Sequence, residues 1–164
     1  MVEAVRGTMD KPVDEKELPV DLKRILHRKN ITVFLADFEY SNVFGILVNK
    51  GKETYFYVDQ RAEKKLKHFI LAHLLGHYHL HLSETCRRIY CQYKFASDTM
   101  PQKEEEADQY ACRLLMPERS VKRLIAQKCS LQEMAERFEV PVENVNARLS
   151  GLGLHVARGG RTGD

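Results

Sequence analysis

What this 164-residue chain lacks narrows its class before any motif is read. No apolar run approaches the roughly 18 residues that a membrane-spanning helix needs. Its opening stretch, MVEAVRGTMDKPVDEKELP, carries charges throughout and no apolar core of the kind a secretion signal requires. The four cysteines, Cys86, Cys91, Cys112 and Cys129, make no C-x-x-C pair. Cys86 and Cys91 are close enough for a metal or disulfide pair, but buried, neutral cysteine is the plainer reading. Without an export signal, reduced thiols in a cytoplasm are the expectation. A net charge of +3 is too mild to argue for nucleic acid on its own. No repeat or low-complexity block is visible. What remains is ordinary for a soluble globular protein: 43% hydrophobic and 30% charged residues, in a length able to bury a core without staples.

Periodicity divides the chain. Residues 1–17 and 155–164 are polar or glycine-rich and read as loose tails. PVDLKRILHRKN reads as a short helix with Val20, Leu22, Ile25 and Leu26 on its apolar face. ITVFLA, VFGILV and TYFYVD are β-branched and aromatic, and read as strands. NKGKE, with Asn49 and Gly51, supplies a hairpin turn between the last two. Three strands in succession predict a small antiparallel sheet. From Arg61 the period changes: Leu66, Phe69, Ile70, His73, Leu74 and His77 recur at three and four, which predicts a helix to about His81. Residues 83–100 show no pattern and read as irregular. Pro101 opens a second long helix that Pro117 ends, and ERSVKRLIAQ is a third. Ser130 and Glu133 form a capping-box pattern at the start of SLQEMAERF, and a last helix, VENVNARLSGLG, is closed by Gly151. The order is helix, sheet, helices, hence an α+β fold. Residues 18–128 form the principal domain and 129–154 an appended helical segment.

The chemistry concentrates in FILAHLLGHYHLH, residues 69–81. His73 and His77 are four apart, so on a helix they stand one above the other and can offer imidazole nitrogens to one ion. Gly76 between them costs a helix up to roughly 1 kcal/mol relative to alanine, so close backbone approach is expected there. A metal needs a further ligand. KEEEADQYA offers three glutamates on the next long helix. Glu104 precedes Ala107, Asp108 and Ala111 by three, four and seven residues, which places it along the buried stripe; Glu105 and Glu106 point away and read as a solvated charge run at a helix N-terminus. Asp108 can accept a hydrogen bond from a ligand histidine and fix its tautomer.

These stretches resemble the ImmA/IrrE zinc metallopeptidases, whose members carry phrases close to RFTLAHELGHYLLH and EAEANRFAAELLMP. Here they read KHFILAHLLGHYHLH and EEEADQYACRLLMP. The GILV and YFYVD hairpin and the C-terminal LQEMAERFEVPVENVNARLSGLGL also fit, so the resemblance runs over about residues 19–154. It implies a zincin-like helical core, with Zn2+ held by His73, His77 and Glu104 and a water in the fourth position. It also implies that a glutamate after the first histidine takes that water's proton as it attacks a peptide carbonyl. This chain has Leu74 at that position, and Asp108 where asparagine is common. Leucine accepts no proton, and losing a general base typically costs about 10²–10⁴-fold. His68, His79 and His81 are each poorly placed to replace it.

The C-terminal helix pair has helix-turn-helix proportions, with Asn144, Asn146 and Arg148 as the polar candidates for contacts to DNA. One arginine is thin for phosphate binding, and a module packed through Leu131, Met134, Phe138, Val145 and Leu149 is the preferred reading. The functional expectation is a cytoplasmic zinc metallopeptidase scaffold, impaired at Leu74. By resemblance, its substrate is a helix-turn-helix repressor whose cleavage releases transcription in a stress response or mobile-element induction. The alternative is a non-catalytic regulator that binds a repressor or DNA without cutting.

Overall fold

A computed structural model describes residues 18–39, 42–83, 88–91 and 102–156. The tails at 1–17 and 157–164, and most of the irregular stretch at 83–100, lie outside the described residues. The elements are α1 (Leu22–Arg28), β1 (Ile31–Ala36), β2 (Gly45–Asn49), β3 (Thr54–Asp59), α2 (Lys64–Leu80), β4 (Arg88–Cys91), α3 (Gln102–Leu115), α4 (Glu118–Ala126), α5 (Leu131–Phe138) and α6 (Val142–Leu152). The fold is α+β. Among the described residues no helix is long and apolar enough to cross a membrane.

Local chemistry accounts for most boundaries. Asp21 caps α1 by accepting the Arg24 N–H at 3.1 Å. Asn49 Oδ1 accepts the Gly51 N–H at 2.7 Å, and Gly51 takes the left-handed φ of +79° that the β2–β3 hairpin turn requires. The capping box is present: Ser130 N donates to Glu133 Oε2 at 2.7 Å and Glu133 N donates to Ser130 Oγ at 3.3 Å. Helix α6, however, is not closed at Gly151. That residue is helical, and the cap is Gly153 at φ +64°, with Leu154 N donating to Leu149 O at 2.9 Å. The left-handed cap has to follow Leu152, and only the later glycine stands there.

The sheet is mixed, not antiparallel throughout. Its order is β1-β3-β2-β4: β1 runs parallel to β3, and β2 runs antiparallel to both β3 and β4. Periodicity identifies strands without fixing their neighbours, and β1 lies across the outer side of the hairpin. β4 falls where no strand was expected. Its four residues are too few to show a period, and pairing with β2 creates it, with Gly45 opposite Cys91 and Leu47 opposite Ile89.

Helix α2 covers one sheet face. Leu47, Phe56, Val58 and Cys91 bury there against Phe69, Ile70 and Leu74. On the other face Phe34 stacks on Tyr57, ring centroids 5.4 Å apart. The same apolar core continues through Leu115, Met116 and Leu124 to Met134, Phe138, Val145 and Leu149 of α5 and α6. The preferred packed reading of those helices rests on these residues. Arg148 of α6 donates from Nε to the Met116 carbonyl at 3.0 Å, and Asn144 is buried. His68 joins three segments, its ring nitrogens 3.0 Å from the Glu139 carbonyl and 3.2 Å from that of Val20.

Candidate metal centre

The site lies where α3 crosses α2, and Gly76 sets how closely they approach. A Cβ at Gly76 would stand 2.9 Å from Ala107 Cα and 3.0 Å from its carbonyl oxygen, closer than side-chain carbons ordinarily come. The expected close approach is therefore that of α3's backbone. It brings the first turn of α3 over the histidine face of α2.

There three side chains converge. His77 Nε2 lies 2.9 Å from His73 Nε2 and 3.1 Å from Glu104 Oε1, and His73 Nε2 lies 3.3 Å from Glu104 Oε2. One donor atom from each falls within 4.8 Å of the other two. Both histidines are buried, at 1% exposure, so water does not substitute for these contacts.

The outer partners fix which nitrogen faces inward. His73 Nδ1 lies 2.7 Å from Asp108 Oδ1, so Nδ1 donates and Nε2 keeps its lone pair. His77 Nδ1 lies 2.9 Å from His81 Nδ1, and His81 Nε2 lies 2.9 Å from Glu106 Oε2. With a proton on His81 Nε2 donated to Glu106, His81 Nδ1 accepts from His77, and His77 Nε2 also presents a lone pair. Two imidazole lone pairs and a carboxylate then face one point. Such electron donors repel unless a proton or a cation lies among them. Glu104 Oε2 is buried and makes no hydrogen bond, which leaves its acceptor capacity for a ligand. The donor set of two imidazoles and one carboxylate suits a divalent transition metal.

The proton affinities show the same demand for positive charge. Burial opposes a charged His73, yet Cys91, Asp108 and Glu104 outweigh it and hold its pKa well above 6.5. Burial, with His73 and His81 adding to it, pushes His77 below 6.5 against the pull of Glu104. Burial would raise Glu104, but the two imidazoles bring it down to about 2.

The structure brings His73, His77, Glu104 and Asp108 together. Leu74 is fully buried, its Cδ1 only 3.2 Å from where a Cβ on Gly45 would stand, so it packs beneath β2. Two neighbours were not foreseen. Glu106 does not simply face solvent: it reaches sideways to His81, beyond the end of α2. The signal was the spacing of four between His77 and His81. Cys91, on the unforeseen β4, is fully buried on the sheet face turned toward α2, and no local pattern marked it. His79 turns away as the helical angle requires, and stacks on Tyr110 at 5.5 Å.

The histidine pair of α2 and the glutamate of α3, beneath the small sheet, form a donor group able to hold a metal ion. Residues 26–150 match the family model described as Peptidase_M78, IrrE N-terminal-like domain, and the chain belongs to that family. A search of curated proteins finds no match.

Proposed function

We propose that this protein is a zinc-binding member of the family whose peptide hydrolysis is disabled at Leu74, and whose partner is a helix-turn-helix repressor. The convergence of His73, His77 and Glu104 carries the reading, because a pure binding module has no need of two buried imidazoles and a half-buried carboxylate facing one point. Zinc would supply a Lewis acid and lower the pKa of a bound water. The chain's own residues would do the rest. His73 and His77 hold the ion, Glu104 offsets its charge, and Asp108 and His81 keep both imidazoles in the ligating tautomer. No proton acceptor stands at position 74. The repressor as partner rests on resemblance to the family. A protein partner is favoured over DNA because α6 carries a single arginine, Arg148, and its Nε already donates to the Met116 carbonyl.

A second reading, a regulator that grips its partner without cutting it, draws on Leu74 as a built part of the core. Metal analysis of the purified protein beside His73→Ala tests the shared premise: near-stoichiometric zinc, lost in the variant, is expected. Zinc-loaded Leu74→Glu is expected to cleave a candidate repressor that the present chain leaves intact. Intact substrate with a folded, zinc-loaded Leu74→Glu would favour the regulator.

A further inference from the structure

We propose that the outer edge of β1 is where two copies of this chain pair, antiparallel, and join their sheets into one.

The edge is exposed and undefended. β1 ends the sheet, with β3 on one side and, among the described residues, no strand on the other. Its six residues, ITVFLA, hold no charge, proline or glycine. Val33, Phe34 and Leu35 are 37%, 44% and 62% exposed. Successive strand residues face opposite sides, so exposure of all three means that the strand is open along its margin, not bare on one face. Edge strands are ordinarily blunted by a charge, a proline, a bulge or short length, because their open backbone groups invite another strand. β4, at the other edge, has only four residues and carries Arg88.

The register shows which backbone groups are open. Ala36 pairs with Asp59, and its carbonyl accepts the Gln60 N–H at 2.9 Å. Ala36 therefore turns its polar groups to β3, and by alternation Thr32 and Phe34 do so too. Ile31, Val33 and Leu35 turn theirs outward.

A second copy satisfies this edge. A two-fold axis through Phe34, perpendicular to the sheet, sets Val33 opposite Leu35 of the other copy, and each pair exchanges main-chain hydrogen bonds. Phe34 then meets the other copy's Phe34 at the type of position where cross-strand side chains come closest. All three exposed apolar side chains thereby cover one another. Charge fixes the direction. Arg28 and Lys29 precede β1, and Asp37 and Glu39 follow it. Antiparallel pairing brings the basic end of one copy to the acidic end of the other; parallel pairing would set like beside like. The contact is isologous, so it stops at two. It lies two strands away from β2, whose Gly45 stands over Leu74, and so away from the metal centre.

Pairing through one strand is a small contact, so the dimer should depend on concentration. Sedimentation of the full chain from about 1 μM to about 1 mM should show monomer giving way to dimer. Amide hydrogen exchange locates the contact. The Val33 and Leu35 amides should be protected in the dimer and lose protection on dilution, while the Phe34 amide, turned to β3, stays protected throughout. Leu35→Pro removes one outward N–H and spares the bonds to β3, a place where an edge strand accepts proline. Leu35→Lys adds a charge to a side chain that is already exposed. Both variants should be monomeric at every concentration, and Leu35→Lys should melt as the wild-type monomer does. A wild-type chain that stays monomeric, or that builds larger assemblies, would overturn the proposal. So would a dimer that survives Leu35→Lys. Protection of Val33 and Leu35 that ignores dilution would give the edge to a segment of the same chain, and would overturn it as well.

Discussion

Replacing Gly76 by alanine probes the contact on which the site depends. In an open helix interior the change would stabilise by up to about 1 kcal/mol. Here the added methyl meets the α3 backbone at Ala107, 2.9 Å from Cα and 3.0 Å from the carbonyl oxygen. Backbone atoms cannot rotate aside, so the helices must part. Overpacking of this kind costs about 1–3 kcal/mol, and contact with backbone places it in the upper half of that range. The net expectation is a loss of about 1–2 kcal/mol. Gly151→Ala is the matched control. Gly151 is helical with nothing within 4 Å of the new methyl, so a gain of about 0.5–1 kcal/mol is expected. Urea unfolding of both variants in chelator, analysed by linear extrapolation, reads the difference. Parting α2 from α3 also draws Glu104 from the histidines, so Gly76→Ala should bind zinc more weakly in a competition assay, and Gly151→Ala should not. Gly76→Ala as stable as wild type would refute the claim that this glycine sets the interhelical distance.

His81→Ala removes the acceptor that holds the His77 tautomer while leaving every proposed ligand in place. Zinc affinity should fall about 10–100-fold, read by competition with a chromophoric chelator; an unchanged affinity would show that the contacts of His81 with His77 and Glu106 do no work. Asp59, at the junction of β3 and α2, accepts from the Arg61 side chain and backbone, and these bonds hold its carboxyl below the usual range against the opposing effect of burial. Because its folded pKa lies below its unfolded one, the unfolded chain binds the proton more readily. Its contribution is therefore present above the unfolded value of about 3.9, and is lost as pH falls through the folded value. Melting temperature against pH should show this acid loss. Asp59→Asn should be less stable at neutral pH and shallower in that window; equal slopes would refute the assignment.

How much of this could be read from the chain depends on the range of the interaction concerned. The α2 histidines, the capping box at Ser130 and the turn at Gly51 rest on bonds within a few residues, and a period or a dipeptide marks them. Choosing Glu104 over its two neighbours needed only the angle of a helix. Strand β4 and the parallel placement of β1 are set by partners tens of residues away, and a strand of four residues leaves no period to detect. Glu106 escaped for a different reason. Its helical angle does point it off the buried stripe, but a long side chain at the helix margin can reach a residue that α2 sets down just past its own end. Cys91 escaped because its place is entirely non-local: a cysteine in an unpatterned stretch reaches the buried face of the sheet only when β2 captures it. Leu74 was legible as a departure from a motif, yet its burial against Gly45 was not. Gly45 leaves room for a large side chain from α2 beneath the sheet, and Leu74 fills it. Restoring a glutamate there thus sets a buried carboxyl against an apolar sheet as well as supplying a base. The proton affinity and the stability of Leu74→Glu would consequently report on the same few ångströms of packing.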